Sequence, residues 1–209
     1  NVPGRAAALN NIGGVLRDLG RFADSVTAYQ NALPLMRQTK NRKGEAQSLN
    51  GLGESLFALG QRDQAVARFR EAEAIWQTLA ANEDKVRTIF NLGTASIAMG
   101  QTDSGLSYYQ TALNDSRQFN DPILEGDILE AMAAYYNSVG ELLKAIEYRR
   151  RIFDAYRKSK ASTVTTSRVL LSVNNLQVSY YRAGRFTEAF EMLEEGIALG
   201  RQSNESLVT

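Results

Sequence analysis

The sequence predicts an all-α protein, an α-solenoid of five helical hairpins. Three observations carry this. Gly20, Gly60, Gly100 and Gly140 recur every 40 residues, and Gly184 follows after 44. Apolar residues between these glycines fall at helical spacing. Only three prolines interrupt 209 residues, which leaves room for long helices. A single hairpin cannot bury its own apolar face, so neighbouring hairpins must stack. The chain reads as one domain with repeats at 1–40, 41–80, 81–120, 121–164 and 165–204.

Repeat one opens on Asn1 to Gly4, which lines up with Asn41 to Gly44 of repeat two. Its first helix carries Leu9, Ile12, Gly13 and Leu16, and its second carries Ser25, Tyr29 and Ala32. Pro34 is expected to bend that second helix, because it removes the bond to the Gln30 carbonyl. Repeat two shows the stripe Leu49, Leu52, Gly53, Leu56, then Ala65, Phe69, Ala72, Ile75, Trp76. Gly60 between the two is the expected terminator, since glycine takes the left-handed conformation without a Cβ clash. In repeat three Asn82 precedes Glu83 and Asp84, a helix-start signal. Ile89, Leu92 and Gly93 follow, then Gly105, Tyr109 and Ala112. Gly105 is expected to admit a methyl group, because Ala65, Ala145 and Ala189 occupy its place elsewhere.

In repeat four Asp121 precedes Pro122, which suits the first helical position. Leu129, Met132, Ala133 and Tyr136 follow, then Ala145, Arg149 and Ile152, and the linker 158–166 absorbs four extra residues. Repeat five reads Val173, Leu176, Gln177, Tyr180, then Ala189, Leu193, Gly196. The stretch from Gln202 to Leu207 echoes that from Gln118 to Ile123, so a sixth repeat is expected to begin at 205–209. With no Met at its start, the chain is expected to be a fragment of a longer protein. Phe190, Leu193 and Ile197 would then lack cover, and end-to-end self-association of the fragment is expected.

Composition narrows the function. The chain holds no Cys and no His. Thiolate and imidazole metal sites, a Cys nucleophile and a His-based triad are excluded. A net charge of +1 gives no bulk attraction to nucleic acid or an anionic membrane. No apolar run approaches the ~20 residues of a membrane span. Gly51 and Gly53 begin a near-match to a G-x-G-x-x-G phosphate cradle, but no strand precedes them and helix packing explains them. Arg149, Arg150, Arg151, Arg157, Lys158 and Lys160 form one basic cluster, expected on the solvated outer face of the second helix. Glu71 with Glu73, and Glu194 with Glu195, do not converge on a pocket as acid–base chemistry requires. Tyr109, Tyr136 and Tyr180 occupy core positions, so their doublets do not make a stacking site. No catalytic residue, metal ligand or cofactor is expected.

The repeat pattern resembles that of the tetratricopeptide repeat, W-x2-L-G-x2-Y followed by A-x3-F-x2-A. Repeat two matches it through Leu49, Leu52, Gly53, Leu56, Ala65, Phe69 and Ala72, and the other four hold the same register. The 40-residue length looks like the extended repeats of LGN/Pins scaffolds, kinesin light chain and bacterial arrays beside caspase-like CHAT proteases. Ala133 and Gln177 replace the glycine, and Arg149 replaces the buried aromatic. The resemblance implies a right-handed superhelix whose first helices line a concave groove.

A helix turns about 100° per residue, so the groove face is the one opposite each buried stripe. It comprises Asn11, Gln47, Asn50, Glu54, Arg87, Asn91, Asp127, Glu130, Asn174, Asn175 and Arg182. Asn carries donors and an acceptor, so this series could pair with the backbone of an extended peptide. Arg87 and Arg182 would hold an acidic group, and Glu54, Asp127 and Glu130 a basic one. The resemblance therefore implies a non-catalytic protein- or peptide-binding scaffold in the cytoplasm, with neither nucleic acid nor membrane as partner. The alternative is a sensor controlling an attached effector such as a CHAT protease.

Overall fold

The structure is a computed structural model. It describes all residues except Ala81, Lys160, Ser162 and 206–209, and the side chains at 203–205. The expected sixth repeat falls largely outside the described residues. Among the described residues ten α-helices run in order: α1 Val2–Asp18, α2 Phe22–Gln38, α3 Arg42–Ala58, α4 Arg62–Trp76, α5 Glu83–Ala98, α6 Thr102–Ser116, α7 Pro122–Ser138, α8 Leu142–Lys158, α9 Thr166–Arg182 and α10 Phe186–Glu205. A short 3-10 turn, Arg117–Phe119, precedes α7. The described residues contain no strand.

Each hairpin is punctuated by its own sequence. Asn1, Asn41, Asn82, Asp121 and Thr165 cap the five first helices, their side chains accepting from backbone N–H groups one turn on. All five turn glycines, Gly20, Gly60, Gly100, Gly140 and Gly184, have φ between +72° and +82°. At the second hairpin the Gln61 N–H reaches back to the Leu56 carbonyl at 2.9 Å, which satisfies the helix end as a left-handed cap does. Between hairpins the same conformation falls to non-glycine residues, Lys40 at φ 54° and Asn120 at φ 50°. Pro34 stands inside α2, which continues to Gln38.

The helices gather into two compact bodies, Asn1–Asp115 and Ser116–Thr209. In the first, α3 packs against α1, α2, α4 and α5. Its core joins Tyr29, Leu49, Leu52, Phe69, Trp76 and Leu92. The small residues work as the pattern implies. A Cβ on Gly53 would come 2.5 Å from the Phe69 ring, and one on Gly13 would come 2.9 Å from Tyr29. Tyr29 also fills the space over Gly51 of the next hairpin, so one ring joins two repeats. Trp76 is fully buried and donates through Nε1 to the Thr88 hydroxyl at 3.1 Å, tying α4 to α5. Ile12 departs from its expected burial. It is 49% exposed.

The second body packs α7 on α8, α8 on α9 and α9 on α10. Ile146, Phe153, Val173, Leu176 and Tyr180 belong to one core there.

Candidate functional site

In the first body, α1, α3 and α5 present their polar faces to a common groove of about 550 Å³. Five expected residues line it, Asn11, Gln47, Asn50, Glu54 and Arg87, and Asn10 lies among them. Asn91 joins them through hydrogen bonds, its Nδ2 donating to Asn50 Oδ1 at 3.1 Å and to Glu54 Oε1 at 2.7 Å. Asn50 donates to the same Glu54 oxygen at 2.9 Å. The second Glu54 oxygen takes an ion pair from Arg17. Gln47 donates to Asp84 at 2.8 Å, and Ser48 to Asn10 at 2.8 Å.

This network has a chemical consequence. Asn50 and Asn91 each donate to Glu54, Asn91 also donates to Asn50, and the Glu54 charge is met by Arg17, so these four residues form a linked, preorganised floor. Burial draws the Arg17 pKa down, but Glu54, Tyr29 and Asp18 together outweigh it and raise it, so the guanidinium is firmly charged. Burial raises the Tyr29 phenol, which therefore stays neutral. Asn11 and Arg87 stand exposed above the floor, and Arg87 is the groove side chain with a cationic head open to solvent.

In the second body Asp127, Glu130 and Asn175 line a pocket of about 110 Å³ between α7, α8 and α9. Arg149, Tyr156 and Arg168 complete it. Arg149 corrects the expectation of a solvated basic face. Its side chain is only 14% exposed, donates to both Glu130 oxygens, and reaches Ser179 Oγ at 2.7 Å. Arg150 donates to the Tyr180 hydroxyl at 3.0 Å, and Arg151 lies 3.9 Å from Glu125. Adjacent residues diverge by about 100° on a helix, so three consecutive arginines serve three different contacts. Asn174 lies apart from Asn175, in a groove between α9 and α10, and Arg182 is exposed at the end of α9.

Sequence reasoning missed Arg17, Asp84, Arg149 and Arg168 as site-lining residues. For Arg149 the signal was available: an arginine in an aromatic slot must find a buried anion. For Arg17 there was none, since its partner stands 37 residues away. Among the described residues no group of acids is arranged to hold a metal ion, and no helix is long and apolar enough to cross a membrane.

Tetratricopeptide repeat family models match residues 4–78 and 169–205. The chain belongs to the tetratricopeptide repeat superfamily. No curated protein matches it in sequence. Among solved structures it is similar to BtubC from P. vanneervenii, with TM-score 0.80 and 16% identity over 97% of this chain and 84% of that one. It is similar to a Podosopora anserina protein with nearly identical kinesin-light-chain TPR-like repeats, with TM-score 0.74 and 18% identity over 98% and 99%. It also resembles the Rap conjugation gene regulator of plasmid pLS20, solved in complex with a Phr peptide, with TM-score 0.66 and 18% identity. That match covers 92% of this chain and 52% of the regulator, so the tetratricopeptide chain spans about half of that protein's length. These are likenesses of fold.

Proposed function

We propose that this tetratricopeptide repeat chain is a non-catalytic, cytoplasmic scaffold that binds a protein segment along the groove of α1, α3 and α5. The observation that carries the reading is the floor of Arg17, Glu54, Asn50 and Asn91. Four polar side chains from three repeats are locked together beneath an open groove. Such a floor holds its shape before a partner arrives, which lowers the ordering cost of binding. Exposed Asn11 and Arg87 supply the contacts, Arg87 to a carboxylate and Asn11 to peptide backbone. A Rap regulator of similar fold has been solved with a peptide, which supports a peptide or protein partner. The pocket bounded by Asp127, Glu130 and Asn175, with Asn174 and Arg182 beside it, is a second contact region in this reading. The alternative of a sensor with an attached protease draws no support from the relatives named above.

The test is capture of partners by the immobilised chain, followed by titration of the recovered partner against variants. Arg87→Ala is expected to weaken binding about five- to 150-fold, the loss of a hydrogen-bonded contact worth about 1–3 kcal/mol. If Arg87→Ala and Asn11→Ala both bind like the parent while Arg151→Ala does not, the partner uses another face and the groove reading fails.

A further inference from the structure

We propose that the Tyr29 hydroxyl is a recognition point in the groove between α1 and α3, where it donates to a serine or threonine hydroxyl of the bound protein segment. The inference rests on the groove reading above and names one chemical requirement of the partner. Two equivalent tyrosines in the first body behave differently. Tyr109 donates through Oη to the Thr94 hydroxyl at 3.1 Å. Tyr29 is the same position two repeats earlier, and the counterpart of Thr94 is Gly14. Both rings are buried, with 4% of Tyr29 and 3% of Tyr109 exposed. Yet no hydrogen bond to the Tyr29 hydroxyl exists among the described residues; only burial and the charges of Arg17, Glu54 and Asp18 act on it. It opens into the groove beside Gly14 and Gly51. A buried phenol normally finds a partner, and only the groove is left to supply one.

Two links between α1 and α3 frame the place where that partner enters. On one side Ser48 donates to Asn10 at 2.8 Å, and on the other Arg17 pairs with Glu54. Between the links each helix presents a glycine. A Cβ on Gly51 would collide with the phenol, so packing fixes that glycine. A Cβ on Gly14 would meet only Tyr29 Oη, at 3.6 Å, so packing does not require Gly14 and the space above it is open. The helical rise puts Asn10 and Arg17 about 10 Å apart along α1, and their side chains take part of that span. The window admits a short side chain and holds the partner's main chain above it.

Among short polar groups a hydroxyl fits. Thr94 shows that a hydroxyl satisfies this phenol in this packing. An anionic group is disfavoured, because the charges nearest the phenol are one cation, Arg17, and two carboxylates, Glu54 and Asp18. Phe69 holds the equivalent slot in repeat two, so Tyr29→Phe removes the hydroxyl and keeps the packing.

The experiment selects a random-sequence peptide library against the whole immobilised chain and retains peptides whose binding Asn11→Ala or Arg87→Ala weakens. Retained peptides are expected to share a serine or threonine at one register. In synthetic copies, replacing that serine by alanine, or threonine by valine, is expected to weaken binding to the parent about two- to tenfold. The same replacement should change nothing against Tyr29→Phe, as a directly coupled pair requires. Phosphorylating that residue should weaken binding. Gly14→Thr supplies within the chain the hydroxyl that Thr94 gives Tyr109, and is expected to keep the fold by far-ultraviolet circular dichroism while weakening every retained peptide severalfold. Gly14→Ala, which adds only a methyl group in ordinary contact, is a second variant with the same readout. Retained peptides without a shared hydroxyl residue, an equal loss against parent and Tyr29→Phe, tighter binding of the phosphorylated peptide, or folded Gly14 variants that bind like the parent would each overturn the inference and leave the groove reading standing. A library that yields no peptide dependent on Asn11 or Arg87 would overturn both.

Discussion

Gly93 and Gly105 face each other across α5 and α6 with backbone against backbone. A Cβ on Gly93 would lie 3.1 Å from the Gly105 carbonyl oxygen, and one on Gly105 would lie 3.0 Å from that of Gly93. The Ile97 side chain closes the same gap, 2.6 Å from the Gly105 position. The equivalence of Gly105 with Ala65, Ala145 and Ala189 suggests a tolerant site, and the structure corrects it. Helix propensity favours Gly105→Ala by about 1 kcal/mol, but overpacking costs about 1–3 kcal/mol. A net loss of stability is expected, read as a lower denaturation midpoint. A midpoint at or above the parent's would show that Ile97 yields freely.

The turn residues make a matched pair of predictions. Nothing lies within 4 Å of a Cβ on Gly60, yet its φ is +77°. Gly60→Ala should therefore destabilise by about 1 kcal/mol through backbone strain alone. Lys40, exposed and at φ 54°, already bears that strain. Lys40→Gly should stabilise by up to about 0.5–1 kcal/mol, the relieved strain being partly offset by the freedom glycine gains when unfolded. Urea denaturation of both variants checks the two signs together.

Glu73 occupies a slot held by Leu33, Leu113 and Phe153 in other repeats. Burial raises its pKa, and Arg70 and Lys85 only partly counter this. A carboxyl whose folded pKa is raised favours the folded state when protonated. That contribution is present at low pH and lost as the pH rises from the ordinary glutamate range through the raised value. Glu73→Leu should therefore stabilise at neutral pH by about 0.5–2 kcal/mol, with a smaller gain in acid. Thermal melts of both proteins at two pH values decide it. An equal gain at both would show that packing rather than ionisation is responsible.

Arg149→Ala would strand the Glu130 carboxylate in a half-buried pocket, while the Ser179 hydroxyl keeps its bond to the Asn175 carbonyl. A loss of about 1–3 kcal/mol is expected, and Glu130→Gln in the same chain should recover part of it. If the double variant is no better than the single one, the Arg149 side chain acts through its packing and not its charge.

Much of the fold was legible in single residues. The turn glycines and the capping Asn and Asp side chains are local devices, and each acts where it stands in the sequence. Part of the groove's lining was legible, but Arg17 and Asp84 were not, and neither was the wiring. Asn50, Glu54 and Asn91 all point to the groove, as helical periodicity requires. That they bond to one another depends on how far α3 and α5 approach, which packing of residues such as Phe69 and Trp76 sets. Gly105 was misjudged for the same reason. What a methyl meets is decided by Ile97, on a different helix, and not by what equivalent repeats carry.

Trp76 turns the interior of the first body into an optical probe. It is the chain's only tryptophan, and its indole is sealed between α4 and α5. Its emission therefore reports the melting of residues 1–115 alone, while far-ultraviolet ellipticity sums all ten helices. If the fluorescence and ellipticity transitions separate along a denaturant axis, the gap between them measures how independently the remaining four helices unfold. A second dye is then unnecessary for dissecting the cooperativity of the array.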